Sequence, residues 1–392
     1  MKKSTLVIRS LRHYWRTHVA VLLGVIAGTA VIAGALVVGD SVRQSLRQMS
    51  LDRLGQVDHA LHSSRFFTQE SVKRLQESLA FKDRFGAILP ALIVDASLTR
   101  ENAKGDVLGR VGGVRVFGVD KLFLDRNEID SLKVRIKGKP PDLLPDGSIV
   151  LSHRVASQIQ ALKGERLRLW LQKPATIPRE TLLGGIEDQD TAEMDVNVHQ
   201  VLPETSGVGR FDLNAGQQLP LTVFVPLKDL QVALDLNREP VSRYYPQGRL
   251  GRVNAVFLTA NQESDQTGAT AVEAAELVTE QFHQTLSLAD LNLRVTIPTK
   301  PEGTSEGSGD ERELGYLSLE SEQMVLEDGF AEAAKRAASG SATSSVLVYL
   351  LNELTNPNAE TDDPDSATPG YSMYSVVAGV DFEELRTAPF GP

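Results

Sequence analysis

The chain has 392 residues, of which 41% are apolar, 23% charged and 6% aromatic, and it contains no cysteine. The lack of cysteine excludes disulfides, thiol catalysis, thiolate zinc sites, iron–sulfur clusters and a lipid anchor on cysteine. The 51 acidic residues exceed the 41 basic ones, and because an excess of negative charge repels phosphate backbones, we expect no nucleic-acid binding.

The charge is divided unevenly along the chain. Residues 1–18 carry five basic and no acidic side chains, and residues 19–38 carry no charge at all. The remainder holds all 51 acidic residues and 36 basic ones, a net charge of −15. The five basic residues of the amino-terminal segment are Lys2, Lys3, Arg9, Arg12 and Arg16.

Residues 19–38 predict one transmembrane helix. Thr29 is the only polar side chain among these twenty residues, and a helix of this length spans about 30 Å, the thickness of the hydrocarbon core. The basic residues precede the span and Asp40 follows it. The positive-inside rule therefore places residues 1–18 in the cytoplasm and residues 39–392 outside, in a single-pass protein of the cytoplasmic (inner) membrane.

A cleaved signal peptide is the alternative interpretation of the same segment. Ala33, Gly34 and Ala35 satisfy the small-residue rule for a cleavage site after a shorter apolar stretch. The apolar run nevertheless continues through Leu36 to Val38 without a polar stretch or a helix breaker. This continuation favours a retained anchor.

The first eighteen residues predict a short amphipathic helix that lies along the lipid surface. One face carries Val7, Leu11, Tyr14 and His18, and another carries Arg9, Arg12 and Arg16.

Small residues within the span predict a surface for packing against another helix. Gly24 and Gly28 are four residues apart, as are Ala30 and Gly34, and small residues at this spacing let two membrane helices approach closely. Glycine and alanine are also common in any membrane helix. Both explanations stay open, and Gly24, Gly28 and Gly34 are the candidate packing residues.

After the span, the sequence predicts a stalk helix to about Gly55 and then a domain of mixed α and β structure (α+β), with two α/β subdomains. Period-two alternation predicts half-buried strands at 134–136, 167–171, 221–225 and 293–297. Helical spacing predicts three helices. The first carries Val155, Ile159 and Leu162, is capped by Ser152 and is ended by Gly164. The second follows Pro226 and carries Leu227, Leu230 and Leu234, and the third carries Ala271, Ala275, Val278, Phe282 and Leu286. Composition predicts flexible links near residues 299–310 and 356–370 within the extracytoplasmic domain, residues 39–392.

No motif of the sequence assembles a catalytic, cofactor or metal site. Residues 303–307 match G-x-S-x-G but lie in a polar link rather than between a strand and a helix. His59 and His62 could share a helix face but have no third ligand at a recognisable spacing, and Glu193 stands where a calcium loop at 187–193 needs glycine. The phosphate-loop pattern is missing as well. We therefore expect a protein that is not an enzyme and binds no cofactor or metal.

Taken together, these features resemble the amino-terminal half of an FtsX-like or MacB-type ABC transporter permease, namely its first membrane helix and periplasmic core domain. The basic start, the single span, the exit at residues 39–43 and the long domain carry the resemblance. Two stretches support it: residues 150–167 are similar to the family's strand, helix, glycine and strand unit, and residues 224–231 with 252–258 are similar to its helix and strand pair.

The resemblance implies a permease component whose periplasmic domain couples a separate ATPase to substrate handling at the outer face of the membrane. The implied partners are a cytoplasmic ATP-binding subunit, further permease helices or a second permease copy, and membrane lipid. Permeases of this family have further membrane helices after the domain, and this sequence has none, so we expect a truncated or accessory form. The alternative is an anchored or secreted binding domain unrelated to transport.

Overall fold

The computed structural model describes residues 3–82, 84–102, 104–128, 144–173, 191–205, 207–214, 218–241, 248–260, 271–297, 316–322, 326–355 and 371–386. The chain forms two compact units. Unit 1 comprises Met1–Pro174 and Asp188–Leu286, and unit 2 comprises Ala175–Glu187 and Ser287–Pro392.

The described residues contain both helices and strands. The helices are α1 Lys3–His13, α2 Trp15–Leu54, α3 Gln69–Glu77, α4 Leu79–Lys82, α5 Lys121–Glu128, α6 His153–Ile159, α7 Leu227–Ala233, α8 Ala271–Thr285, α9 Asp328–Ala337 and α10 Phe382–Leu385. The strands are β1 His59–Thr68, β2 Phe85–Glu101, β3 Val107–Val119, β4 Ser148–Ser152, β5 Arg166–Gln172, β6 Thr191–Leu202, β7 Thr222–Pro226, β8 Arg252–Ala260, β9 Leu293–Thr296, β10 Ser318–Ser321, β11 Val346–Thr355 and β12 Tyr371–Val380. The prediction of an α+β chain with one amino-terminal apolar helix is confirmed.

Unit 1 is built on an eight-stranded sheet that closes partly on itself. The strand order is β1-β8-β2-β3-β7-β4-β6-β5, and β5 also pairs with β2. The six strands β2, β3, β7, β4, β6 and β5 therefore form a closed ring in that order. Strands β8 and β1 extend the sheet from the first half of β2. The pairs β3–β7 and β4–β6 are parallel, whereas the other pairs are antiparallel. Closure leaves fewer open strand edges, which would otherwise be exposed to pairing with other chains.

The two faces of this sheet bury two separate cores. Alternate residues of a strand point to opposite faces, and in β7 Val223 and Val225 join one cluster while Phe224 joins the other. The second cluster is rich in phenylalanine, with ring centroids 5.1–6.4 Å apart for the pairs of Phe117 with Phe211, Phe224 and Phe257. Strand β7, which was predicted to be half-buried, is in fact buried on both faces.

Strand β2 changes its neighbours partway along its length. Its first half pairs with β8 as far as Ala91, and its second half pairs with β3 from Leu92 onward. Where β2 leaves β8, the Ile93 amide donates to Oδ1 of Asn254 and Nδ2 of Asn254 donates to the Ile93 carbonyl, both at 2.8 Å. Asn254 is buried. Its side chain thus replaces the backbone partner that β2 loses there.

Unit 2 contains two short antiparallel sheets, β9–β10 and β11–β12, together with α9 and α10. Glu320 of β10 accepts hydrogen bonds from Thr296 and Arg294 of β9, at 2.7 and 2.6 Å. These bonds hold the pKa of the Glu320 carboxyl below its ordinary value. The β9 strand was predicted and is half-buried, as expected.

Several local predictions can be compared directly with these elements. The stalk prediction is confirmed, since α2 continues to Leu54. The helices after Pro226 and from Ala271 are also confirmed as α7 and α8. The strand at 134–136 and the links at 299–310 and 356–370 lie outside the described residues. The boundaries at residues 18, 38 and 39, and the division of residues 39–392 into subdomains, stay predictions.

The end of helix α6 was predicted wrongly. The helix ends at Ile159 because Gln160 adopts a left-handed conformation with φ of 54° and donates its amide to the Ala156 carbonyl. Leu162 therefore lies beyond the helix and is exposed. Gly164, with φ of 88°, instead turns the chain toward β5. Ser152 occupies the cap position, but its side chain makes no capping hydrogen bond.

We expect Asn254→Ala to lower the free energy of unfolding by about 2 to 4 kcal/mol, because the substitution leaves a buried amide and a buried carbonyl of Ile93 without their partner. The measurement is urea unfolding of the detergent-solubilised chain in a Trp15→Phe background, in which Trp170 is the only tryptophan. The exposed Asn214→Ala is the control. Equal losses for the two alanine variants would contradict a special role for Asn254.

Candidate functional site

Helix α2 is the candidate membrane anchor. It has 40 residues, and its most apolar window has a mean hydropathy of 2.6 with none of that window buried. By length and composition it is the one helix among the described residues that could cross a membrane. At about 1.5 Å per residue α2 extends for about 60 Å, twice the hydrocarbon thickness. The helix is therefore long enough for a span followed by a stalk.

The single polar side chain of the predicted span is satisfied within its own helix. Oγ1 of Thr29 donates to the carbonyls of Val25 and Ile26, which lie at 2.8 and 3.0 Å. Internal pairing of this kind is required in hydrocarbon, where no water is present to bind a hydroxyl group. Thr29 is thus compatible with a lipid environment.

The carboxyl end of α2 is fixed to the sheet of unit 1. Arg53 is buried and its Nη1 lies 3.5 Å from the carbonyl oxygen of Gln218. A Cβ at Gly207 would lie 2.9 Å from the carbonyl oxygen of Asp52, so this close approach depends on glycine. Val57, which follows the helix, belongs to the phenylalanine-rich cluster. The helix is therefore joined to the core by packing as well as by the chain.

The predicted packing residues Gly24, Gly28 and Gly34 all lie within α2. A Cβ built at any of the three meets no atom within 4 Å. Gly24 and Gly28 are one helical turn apart and so lie on neighbouring positions of one face. Their role in helix packing stays a prediction, and a larger side chain there meets no obstacle within the described part of the chain.

We expect Gly24→Ile and Gly28→Ile to leave membrane insertion unchanged, because both side chains are apolar, but to weaken association with another membrane helix. The measurement is the crosslinking yield between differently tagged copies of the chain, or between the chain and a full permease, in membranes. Ala33→Ile serves as the control, since it adds volume on the side of the helix opposite Gly24 and Gly28. Equal yields for all variants would mean that the span acts only as an anchor.

A polar cleft of about 550 Å³ lies on the outside of the closed ring in unit 1. It was not predicted from the sequence, although the alternation of apolar residues along 192–198 would have predicted strand β6. The lining residues are Arg100, Glu101, Asn102, Leu108, Glu165, Arg166, Leu167, Arg168 and Asp195.

The centre of the cleft is an ion-pair network across three adjacent strands. Asp195 of β6 lies 2.5 Å from Arg166 and 3.2 Å from Arg168 of β5. Arg168 also lies 3.5 Å from Glu101 of β2. The hydrogen bond from Arg166 holds the pKa of the Asp195 carboxyl below its ordinary value, and the hydrogen bond to Asp195 raises the pKa of Arg168. The pair of Arg168 with Glu101 crosses the seam at which β5 closes the ring onto β2, whereas the two pairs of Asp195 join β5 to β6.

Arg100 extends the same network to the loop that precedes β5. Its Nε lies 3.7 Å from Oε2 of Glu165, and its Nη1 donates to the backbone carbonyls of Ile159 and Gln160. The arginine thus binds the end of α6 to the edge of β2. The pairs of Arg100 with Glu165 and of Arg168 with Glu101 thus link β2 to β5 and to the loop before it.

We expect Asp195→Asn to lower the free energy of unfolding by less than about 1 kcal/mol at neutral pH, because the network is partly exposed to solvent. A carboxyl whose pKa is lower in the folded than in the unfolded protein stabilises the fold at pH values above its unfolded-state pKa, which is 3.8 for aspartate. This stabilisation is lost as the pH falls from 3.8 through the folded-state pKa. The difference between wild type and variant should therefore shrink below pH 3.8.

Urea unfolding at several pH values measures this effect, with the exposed Glu204→Gln as the control for removal of one negative charge. A difference that stays constant into acid would contradict the assignment of the effect to the ion pairs of Asp195.

The two histidines considered as ligands do not share a helix face. His59 and His62 lie on strand β1, and an odd spacing places their side chains on opposite faces of a strand. Burial lowers the pKa of both imidazoles. The described residues contain no cluster of three or more metal-ligating side chains. Residues 303–307 and the acidic run at 187–190 lie outside the described part of the chain.

No protein-family model matches the sequence, and no curated protein matches it. Among solved structures, the chain is similar to the periplasmic region of MacB from Actinobacillus actinomycetemcomitans, with 10% sequence identity and a TM-score of 0.32. The similarity covers 57% of this chain and 81% of that chain. The chain's own elements, an apolar amino-terminal helix followed by a sheet-rich domain, make it an α+β protein.

Proposed function

We propose that this protein is a membrane-anchored component of an ABC transporter. Helix α2 holds it in the cytoplasmic membrane, residues 1–18 lie in the cytoplasm, and the sheet-rich units handle substrate or bind partner proteins outside. A separate cytoplasmic subunit supplies ATP hydrolysis, and the chain itself is not an enzyme. Further permease helices, or a second permease copy, complete the membrane part.

The observation that carries the anchor is the combination of α2 with the distribution of charge. The helix begins at Trp15 and is apolar over the length of a bilayer, and five basic residues with no acidic one precede the apolar run. Basic residues are retained on the cytoplasmic side of a span. The helix then continues without interruption to Leu54, where it meets unit 1. A cleaved leader would have no need of this continuity.

The segments that carry the family resemblance support the transporter part of the proposal. Residues 148–172 fold as β4, α6 and β5, the strand, helix and strand order that the resemblance implies. Residues 222–260 contain β7, α7 and β8 in the implied order as well. One detail differs, because Gly164 lies in the turn before β5 rather than at the end of α6.

An anchored or secreted binding domain unrelated to transport is the alternative function. Two observations distinguish the two functions. A transporter component should be encoded beside an ATPase with a Walker motif, and it should purify from membranes together with that ATPase. The purified chain alone should not hydrolyse ATP under either function.

We expect a membrane-impermeant maleimide to label Ser157→Cys in intact cells, with the outer membrane opened if there is one, and to label Ser10→Cys only after lysis. Both positions are exposed on helices, and the protein has no cysteine of its own. The positive-inside rule places position 10 inside and position 157 outside. Labelling is read as a mass shift of the purified chain.

The unmodified cysteine-free protein is the control and should not be labelled. Labelling of position 10 but not of position 157 in intact cells would reverse the topology. A mature protein that begins near Leu36 would instead establish the signal-peptide interpretation and remove the anchor from the proposed function.

A further inference from the structure

Helix α1 and the first turn of α2 carry a stripe of arginines that has no carboxylate near it in the sequence. Arg9 and Arg12 are three residues apart on α1, the spacing of neighbours on one helix face, and Arg16 follows in the first turn of α2; all three are exposed. The first acidic residue of the chain is Asp40. Asp40 follows Arg16 by 24 residues, about 36 Å along a helix. The counter-charge of the stripe must therefore come from elsewhere.

The same segment exposes an apolar face beside the arginines. Val7, Ile8 and Leu11 are 57%, 65% and 50% exposed. At 100° per residue these three side chains cover a sector of the helix distinct from that of the arginines. A helix with separate apolar and basic sectors buries the first at the boundary of the acyl chains and places the second among the headgroups.

Two aromatic residues fix the level of this segment relative to the membrane. Tyr14 interrupts the helix between α1 and α2 with a backbone conformation of φ −101° and ψ 24°, and Trp15 begins α2. The guanidinium carbon of Arg16 lies 5.8 Å from the centre of the Trp15 ring. Tyrosine and tryptophan next to a span lie at the headgroup level. Arg12 and Arg16 are within one helical turn of that level.

We propose that α1 and the first turn of α2 bind anionic phospholipid: the guanidinium groups of Arg9, Arg12 and Arg16 pair with headgroup phosphates while Val7, Ile8 and Leu11 enter the leaflet. The proposal rests on the proposed function only in requiring that α2 spans the membrane. Lipid fits better than an acidic protein surface, because the arginines directly precede the apolar span and an apolar sector lies beside them on the same segment.

The magnitude follows from the charge of the segment. Each basic residue near an anionic surface strengthens partitioning roughly fivefold at low salt, so removal of two arginines should weaken the preference for anionic lipid about 25-fold. The effect should decrease as salt is added, because added ions screen exposed charges.

The test uses the full chain in detergent with an environment-sensitive fluorophore on Ser10→Cys, titrated with phosphatidylglycerol or with phosphatidylcholine in mixed micelles. We expect half-saturation with phosphatidylglycerol at a mole fraction at least tenfold lower than with phosphatidylcholine, since the estimate is roughly fivefold for each arginine. Arg12→Gln/Arg16→Gln should lose most of this preference, and Arg12→Lys/Arg16→Lys should keep most of it because the charge is retained.

The matched control is Arg43→Gln/Arg47→Gln, which removes two exposed arginines at the same spacing from the other side of the span. A preference below twofold in the wild type, or equal losses for the two pairs, would overturn the assignment and leave either general charge attraction or a cytoplasmic protein as the partner of the stripe.

Flotation with vesicles distinguishes this failure from failure of the anchor. The unmodified chain should float with phosphatidylcholine vesicles, and with vesicles of equal parts phosphatidylcholine and phosphatidylglycerol, after washing at alkaline pH. Flotation with both kinds of vesicle without any lipid preference in the titration overturns only the lipid assignment. Release from both by the alkaline wash overturns the membrane anchor and the lipid assignment with it.

Discussion

The fold of unit 1 depends on a single strand that belongs to two sheet arrangements. Strand β2 spans 17 residues and pairs first with β8 and then with β3 and β5. Where a strand separates from its neighbour inside a protein, its backbone amides and carbonyls lose their partners and cannot bind water instead. Each unpaired buried group lowers the stability of the fold by about 1 to 3 kcal/mol. The side chain of Asn254 supplies both missing partners at Ile93. Because the Asn254 side chain takes the place of the missing backbone partners, the ring and the β8 extension can share one continuous strand.

Helix α2 is joined to unit 1 at this same region. The phenylalanine-rich cluster includes Ala91 and Ile93 of β2 and Ala255 and Phe257 of β8, the strand that carries Asn254. Val57, which follows α2, packs in this cluster. The end of the stalk, Leu54, and the following Val57 therefore pack against the part of unit 1 in which its two sheet arrangements meet. A disturbance of that region would affect both the sheet and the attachment of the helix.

The sequence alone predicted the elements that have a simple periodicity. Strand β5 and helices α7 and α8 are of this kind, because each has one buried face and hence a clear period. The apolar run of α2, by contrast, was recognised from its length and composition. Strands buried on both faces lack that period, so β7 was placed correctly but described as half-buried. The long strands β2 and β3 were missed as well, and their burial alternates irregularly along their length. Helix α6 ends early because Gln160 adopts a left-handed conformation. The local sequence pattern does not predict that conformation.

The polar cleft shows why sites of this kind are hard to find in a sequence. Glu101, Arg168 and Asp195 are far apart along the chain and meet only because β5 pairs with both β2 and β6. Each residue by itself is an ordinary charged side chain on the exposed face of a strand. The arginine stripe of α1 is the opposite case, since its spacing and its distance from Asp40 are properties of the sequence. Local spacing therefore identifies the basic stripe at the amino terminus, whereas strand pairing brings together the charged residues of the cleft.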